Sequence, residues 1–353
     1  MFFRTRRDFL TTAGGLAVAG AAGPAPAAPP ATRNTSDTLP RKVIVTTAIQ
    51  DLWGPYPGTR QRLDLLTDVV DRMAEQSRTK YGRGPDLAIL TETAVTGEAA
   101  KDALAGAVPL EGALRETFSG KARELHCYIV VPTYLLEDGK KCSNAAILFG
   151  RDGSVAGIYR KRHLVVAPDS EAMEGGCTLG TDVPVFQCDF GKLGIQICYD
   201  IEFDQGWKDL ARQGCDLVAW PTQSPQTATP AFRAMREQYY IVSSTWRHNA
   251  SVFEPSGRIA AQIRPTESIL AYEIDLSYAI LPWSARLANG KALQAKFGDQ
   301  VGFHYYEDED RGIFWSNNPR VSIREMVRSV GLEEQCEQLA RADQVYRKAG
   351  LRE

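Results

Sequence analysis

From Val43 onward the chain alternates short runs of Val, Ile and Leu with longer stretches whose apolar residues recur at helical spacing, and this alternation narrows the possible folds more than any other feature. Such runs suit strands buried on both faces, which need helices to cover them. Strands are predicted at residues 43–49, 87–90, 128–133, 144–149, 155–159, 193–197, 217–220, 240–243, 251–254, 259–262 and 269–274. Between the first two, Leu63, Leu66, Val70 and Met73 mark a helix over 59–77; further helices are predicted at 113–125, 206–213 and 231–239. Residues 144–159 read as a hairpin turning at Arg151-Asp152-Gly153. The fold class is therefore α/β.

No repeat and no linker interrupts residues 41–280, which gives one domain over 41–281. The pattern loosens after Pro282: Asp308-Glu309-Asp310 is a solvated acidic run, and residues 321–348 carry one or two amphipathic helices. Residues 282–353 thus read as a partly helical extension packed on the domain or on a partner subunit. At the other end, Arg6-Arg7 precede an apolar Gly/Ala-rich stretch and then Ala25-Pro26-Ala27, an order that resembles a twin-arginine export signal and its cleavage region over residues 1–31. Residues 32–40 read as a linker. This predicts a protein handled by the twin-arginine machinery and exported, folded, to the periplasm or beyond.

A hydrophobic content of 44% with 24% charged residues argues against both disorder and multiple membrane spans in the body of the chain. A net charge of -2, with Lys and Arg scattered, leaves no footprint for nucleic acid. The seven cysteines contain no C-x-x-C pair, which argues against a zinc ribbon or a thioredoxin-type motif. Gly-rich segments lack phosphate-loop spacing and His and Cys lack metal-ligand spacing, so no cofactor and no metal are predicted. Cys177 with Cys188 is a conceivable disulfide; most of the remaining thiols read as buried packing residues.

Three strand ends carry chemistry. The strand ending at Cys198-Tyr199-Asp200 gives way to a helical stretch, an elbow that exposes a thiol at a sheet edge beside helix-terminal N–H groups. The strand 87–90 runs into Glu92, and 155–159 runs into Arg160-Lys161-Arg162-His163-Leu164. Each alone has an ordinary structural explanation: a packed thiol, a solvated carboxylate, an exposed basic cluster.

Taken together and in this order, they resemble the nitrilase superfamily of carbon-nitrogen hydrolases over roughly residues 42–276. Gly214-Cys215-Asp216-Leu217-Val218-Ala219-Trp220-Pro221-Thr222, Pro255-Ser256-Gly257-Arg258-Ile259 and Ile274-Asp275-Leu276 extend the likeness. The resemblance implies a four-layer α-β-β-α sandwich, a homodimer or higher homo-oligomer joined through helices, and a catalytic trio of Glu92, Lys161 and Cys198. It also implies a second glutamate, for which Glu174 fits better than Glu171, and an oxyanion contact from the Tyr199 backbone. The chain departs from the family pattern at Thr91, where proline is frequent, at Glu202, where arginine is common, and at Asp204-Gln205.

Asp200 after Cys198-Tyr199 is similar to the amidase and carbamoylase members rather than to true nitrilases, which points to a small-molecule amide substrate. Tyr199, Trp220, Gln223 and Trp246 follow strands and are candidate pocket residues. Rival readings are a Cys-His hydrolase using one of His126, His163, His248 or His304, an acyltransferase or nitrile hydrolase on the same trio, and a non-catalytic binding protein.

Overall fold

In the computed structural model, residues 35–97, 102–168 and 171–351 are described. The export signal predicted at residues 1–31 lies outside them. Two six-stranded sheets dominate. The first contains β1 (Lys42–Ala48), β2 (Leu87–Ile89), β3 (Tyr128–Glu137), β4 (Lys141–Phe149) and β5 (Val155–Arg160), with β12 (Ile269–Asp275) added outside β1. The second runs in order from β11 (Ile259–Ile263) through β10 (Ala250–Phe253), β9 (Tyr240–Thr245), β8 (Leu217–Thr222) and β7 (Gly191–Ile195) to β6 (Val185–Cys188). In each sheet three central strands are parallel, β1-β2-β3 and β7-β8-β9, and antiparallel strands flank them.

Side-chain alternation explains the layering. Leu87 and Ile89 of β2 and Leu217 and Ala219 of β8 point into one core between the sheets. Their neighbours Ala88 and Leu90 pack under α1 (Thr59–Tyr81) and a helix at Ala113–Leu125, and Val218 and Trp220 pack under helices at Asp204–Arg212 and Ala228–Glu237. The result is the four-layer α-β-β-α sandwich expected from the resemblance.

The sheets are also sewn together at one end. The Thr47 hydroxyl donates to Ser243 O at 2.6 Å, Ser244 donates to Ala48 O at 3.1 Å, and the Thr91 hydroxyl lies 3.1 Å from Thr222 O and 3.2 Å from Ser244 O. A proline at position 91 would carry no such donor, so Thr91 replaces a ring by a cross-sheet hydrogen bond.

The C-terminal region differs from its sequence reading. Tyr278–Pro282 forms β13, which spans the boundary predicted at 281 and joins β14 (Val301–Tyr306) and β15 (Arg311–Ser316) in a three-stranded antiparallel sheet. The Phe-His-Tyr-Tyr sequence of β14 is half-buried and lacks a Val/Ile/Leu run, so it gives no strand signal. Helices at Ile323–Ser329 and Gln335–Lys348 fall inside the stretch predicted to be amphipathic. The predicted linker is partly fastened as well: the Ser36 hydroxyl donates to Glu334 Oε1 at 2.6 Å and Asp37 pairs with Arg324, while Arg41, the first residue after it, pairs with Asp216 at 3.0 Å. No helix among the described residues is long and apolar enough to cross a membrane.

Candidate active site

The sewn end of the sandwich is where the three predicted strand ends converge. Glu92 sits in the turn after β2, Lys161 is the first residue beyond β5, and Cys198 follows β7 across the interface. Both Glu92 and Lys161 are 1% exposed. Burial of a carboxylate and an ammonium is tolerated here because they pair: Lys161 Nζ lies 3.0 Å from Glu92 Oε1.

Glu174 completes the cluster, its carboxylate 2.9 Å from Lys161 Nζ, whereas Glu171 is exposed. The sequence leaves Asn144 unremarked, yet it links the group. Its Nδ2 donates to Glu92 Oε1 at 2.9 Å and to Glu174 Oε1 at 2.6 Å, and its carbonyl accepts the Lys161 backbone N–H at 2.8 Å. One residue on β4 thus holds both acids through its side-chain amide and the lysine segment through its backbone carbonyl; only its place in a strand beside the Lys161 strand hinted at this. The other Glu92 oxygen accepts the Gln223 backbone N–H at 3.1 Å.

The electrostatics follow from this packing. Burial alone would lower the Lys161 ammonium, but Glu92, Cys198 and Glu174 around it hold it well above the ordinary lysine range, so it stays charged. Burial, reinforced by the Glu92 charge, raises the Glu174 carboxyl despite the lysine. Crowding by protein atoms and then the Glu92 charge push the Cys198 thiol up to about 12; Lys161, the Thr222 hydroxyl and the Gln223 N–H oppose the rise. At neutral pH Cys198 therefore rests as a thiol, and a base is needed to make it a thiolate.

Cys198 has φ of 41°, a left-handed conformation strained for a side-chain-bearing residue. Asp200 holds that elbow. Its Oδ2 accepts the Ile197 N–H at 2.9 Å and the Tyr159 hydroxyl at 2.7 Å; its Oδ1 accepts the His163 N–H at 3.0 Å and faces His163 Nδ1 at 2.8 Å. His163 also stacks on Phe203 with ring centres 3.9 Å apart. It is thereby committed to aligning the lysine segment with the cysteine elbow, a role that explains it without a Cys-His pair.

The aromatic candidates divide. Trp220 is fully buried beneath the elbow, with Nε1 donating to Cys198 O at 3.1 Å. Trp246 donates to Glu92 O at 2.8 Å and meets Trp53 edge-on at 4.7 Å. Both indoles thus brace the backbone of Cys198 and Glu92 from buried positions. Tyr199 is 38% exposed and is the second residue of the 3-10 turn Cys198–Glu202, whose first N–H groups have no partner inside the helix. Among the described residues, no group of three or more His, Cys, Asp or Glu side chains is disposed to hold a metal ion.

This geometry agrees with the comparisons to known proteins. The family model described as carbon-nitrogen hydrolase matches residues 57–281. The chain belongs to the carbon-nitrogen hydrolase family. Among curated relatives of this hydrolase, the omega-amidase NIT2 of Danio rerio is 29% identical over 191 residues, covering 48% of this chain and 69% of that protein. The Homo sapiens omega-amidase NIT2 is 27% identical over 234 residues, covering 60% and 84%. Among solved structures, Nit3 of Saccharomyces cerevisiae, a member of branch 10 of the nitrilase superfamily, superposes with TM-score 0.57 at 20% identity over 67% of this chain and 91% of that one. An amidase from Nesterenkonia sp. gives 0.55 at 21% identity over 66% and 90%. At those identities the two structures attest to the nitrilase-type fold.

Proposed function

We propose that this hydrolase cleaves a non-peptide amide or carbamoyl amide, releasing a carboxylate and ammonia or an amine through a thioester on Cys198. The observation that carries this reading is the buried cluster of Glu92, Lys161, Glu174 and Asn144 around a thiol held protonated. The amidase names of the curated relatives support the amide class.

An amide carbon is a weak electrophile, so the thiol must be activated and the developing charge stabilised. Glu92 takes the Sγ proton as sulfur bonds to the carbonyl carbon, and the C=O π pair moves onto oxygen. Lys161 Nζ and the Tyr199 N–H receive that oxyanion. Its collapse expels the nitrogen, which collects the proton from Glu92 and leaves. Water then attacks the thioester, Glu92 takes one of its protons and returns it to the departing sulfur, and the acid is released. Asn144 and Glu174 keep the lysine and the base in register.

The paired arginines ahead of the apolar segment support export by the twin-arginine route as part of the same reading, and a homo-oligomer is expected in solution. Arg6→Lys with Arg7→Lys, followed by fractionation, and light scattering of the mature protein test these two points.

The chemistry is tested by incubating the protein with amides, carbamoyl amino acids and nitriles, following ammonia release and acyl adducts by intact mass. Turnover lost in Cys198→Ala, with an adduct mapped to Cys198 in the parent protein, is the expected result. Undiminished turnover in Cys198→Ala would overturn the assignment.

A further inference from the structure

Cys142 and Cys177 lie buried side by side with Sγ atoms 3.6 Å apart, and the proposed mechanism uses neither. Their surroundings are apolar, formed by Ala103, Tyr134 and Leu164. The backbones are already aligned: the Thr178 N–H donates to Cys142 O at 2.7 Å, and the Thr178 hydroxyl donates to the same oxygen at 3.0 Å. Cys188, named from the sequence as a conceivable partner of Cys177, belongs instead to β6 and packs in the core between the sheets.

We propose that Cys142 and Cys177 form a disulfide, a covalent staple between β4 and the turn that carries Glu174. The sulfurs need only close from 3.6 Å to the roughly 2.0 Å of an S–S bond, a movement within reach of side-chain rotation. The loop closed by the bond runs from 142 to 177 and carries Asn144, Lys161 and Glu174. Glu174 precedes Cys177 by three residues and Asn144 follows Cys142 by two, so the staple sits directly behind the charged cluster.

The oxidant is an external disulfide, small or protein-borne. One thiol of the pair, as thiolate, attacks a sulfur of that disulfide and releases one external thiol. The second thiol of the pair then attacks the mixed disulfide and releases the other. The pair loses two protons and two electrons, and the external disulfide gains them as two thiols. Burial raises both native thiols, which slows attack from the packed state. Bond formation is accordingly fastest while the chain folds, and the finished bond is shielded from reductants.

The test is oxidative refolding of the full chain in reduced and oxidised glutathione, then alkylation under denaturing conditions and peptide mapping. Five alkylated cysteines instead of seven, with one linked peptide pair joining 142 to 177, is the expected result. The oxidised protein should melt roughly 5 °C above the reduced one, and Cys142→Ala should abolish the difference while Cys188→Ala keeps it. Seven alkylated cysteines, a Cys177–Cys188 link, or only glutathione adducts would overturn the proposal. The mapping requires neither a variant nor turnover, so its failure is distinct from any failure of the amidase reading.

Discussion

Replacing Asp200 by asparagine changes almost no volume, yet the hydrogen-bond geometry predicts a large effect. The carboxylate accepts at both oxygens, and each oxygen serves one backbone N–H, that of Ile197 at Oδ2 and that of His163 at Oδ1. An amide has one accepting oxygen and one donating nitrogen. Tyr159 can turn its hydroxyl to accept, and His163 can change tautomer, but a backbone N–H can do neither. Whichever way the new side chain flips, one buried N–H faces an NH2 group. The stranded donor costs about 1–3 kcal/mol, and loss of the charge weakens the bonds that remain, so a total near 3 kcal/mol is expected. Ile197 precedes Cys198, the proposed nucleophile, and His163 lies two residues past Lys161, so displacement of either should also lower kcat by roughly 10²-fold with little change in KM. Urea unfolding followed by tryptophan fluorescence measures the first effect, since Trp207 and Trp220 sit in the affected layer; steady-state kinetics on the substrate found by screening measure the second. A stability loss below about 0.5 kcal/mol with unchanged kcat would refute the view of Asp200 as the clamp of the elbow.

Gly180→Ala drives a Cβ into the Arg160 carbonyl oxygen, on the backbone leading into Lys161, and should cost about 1–3 kcal/mol and lower kcat, as checked by unfolding and turnover. Trp246→Phe removes the indole bond to Glu92 O, with an expected loss of about 1 kcal/mol and a several-fold fall in kcat measured under substrate saturation. Burial pushes the thiols of Cys127 and Cys188 up to about 12 from an ordinary value of 9.0. Because the folded value is the higher one, their contribution is intact below about pH 9 and is lost as pH rises toward 12. Urea midpoints should therefore fall between pH 8 and 10, and a Cys127→Ala, Cys188→Ala double variant should flatten that fall.

The parts of the fold legible in the sequence were those written in periodic apolar residues. Leu87-Ala88-Ile89-Leu90 and Leu217-Val218-Ala219-Trp220 are buried on both faces, and their composition says so before any contact is known. β14 was illegible because it is half-buried and aromatic, and β6 because a four-residue strand with an exposed Gln187 carries little pattern. At the site, none of Glu92, Lys161 and Cys198 stood out alone, but the three could be picked out because their strand-end contexts, in this order, resemble one family. Asn144 could not, since a polar residue within an apolar run gains its meaning only from what lies across the sheet. Trp220 and Trp246 were legible as residues near the site, but their N–H partners, Cys198 O and Glu92 O, were not, because those bonds depend on how the two sheets meet.

The fastening of residues 36–41 bears on the order in which the molecule can be completed. A polypeptide is made from its N-terminus, so β1 emerges first, yet its outer edge pairs with β12, and Ser36 and Asp37 are held by Glu334 and Arg324. The first strand made must therefore wait, the N–H and C=O groups of one edge unpaired, until most of the chain has been synthesised. Closure of the sandwich becomes a late and nearly all-or-none event, and a ribosome stalled before residue 269 would hold a chain with Glu92, Lys161 and Cys198 already made and the sheet beneath Glu92 still open along β1.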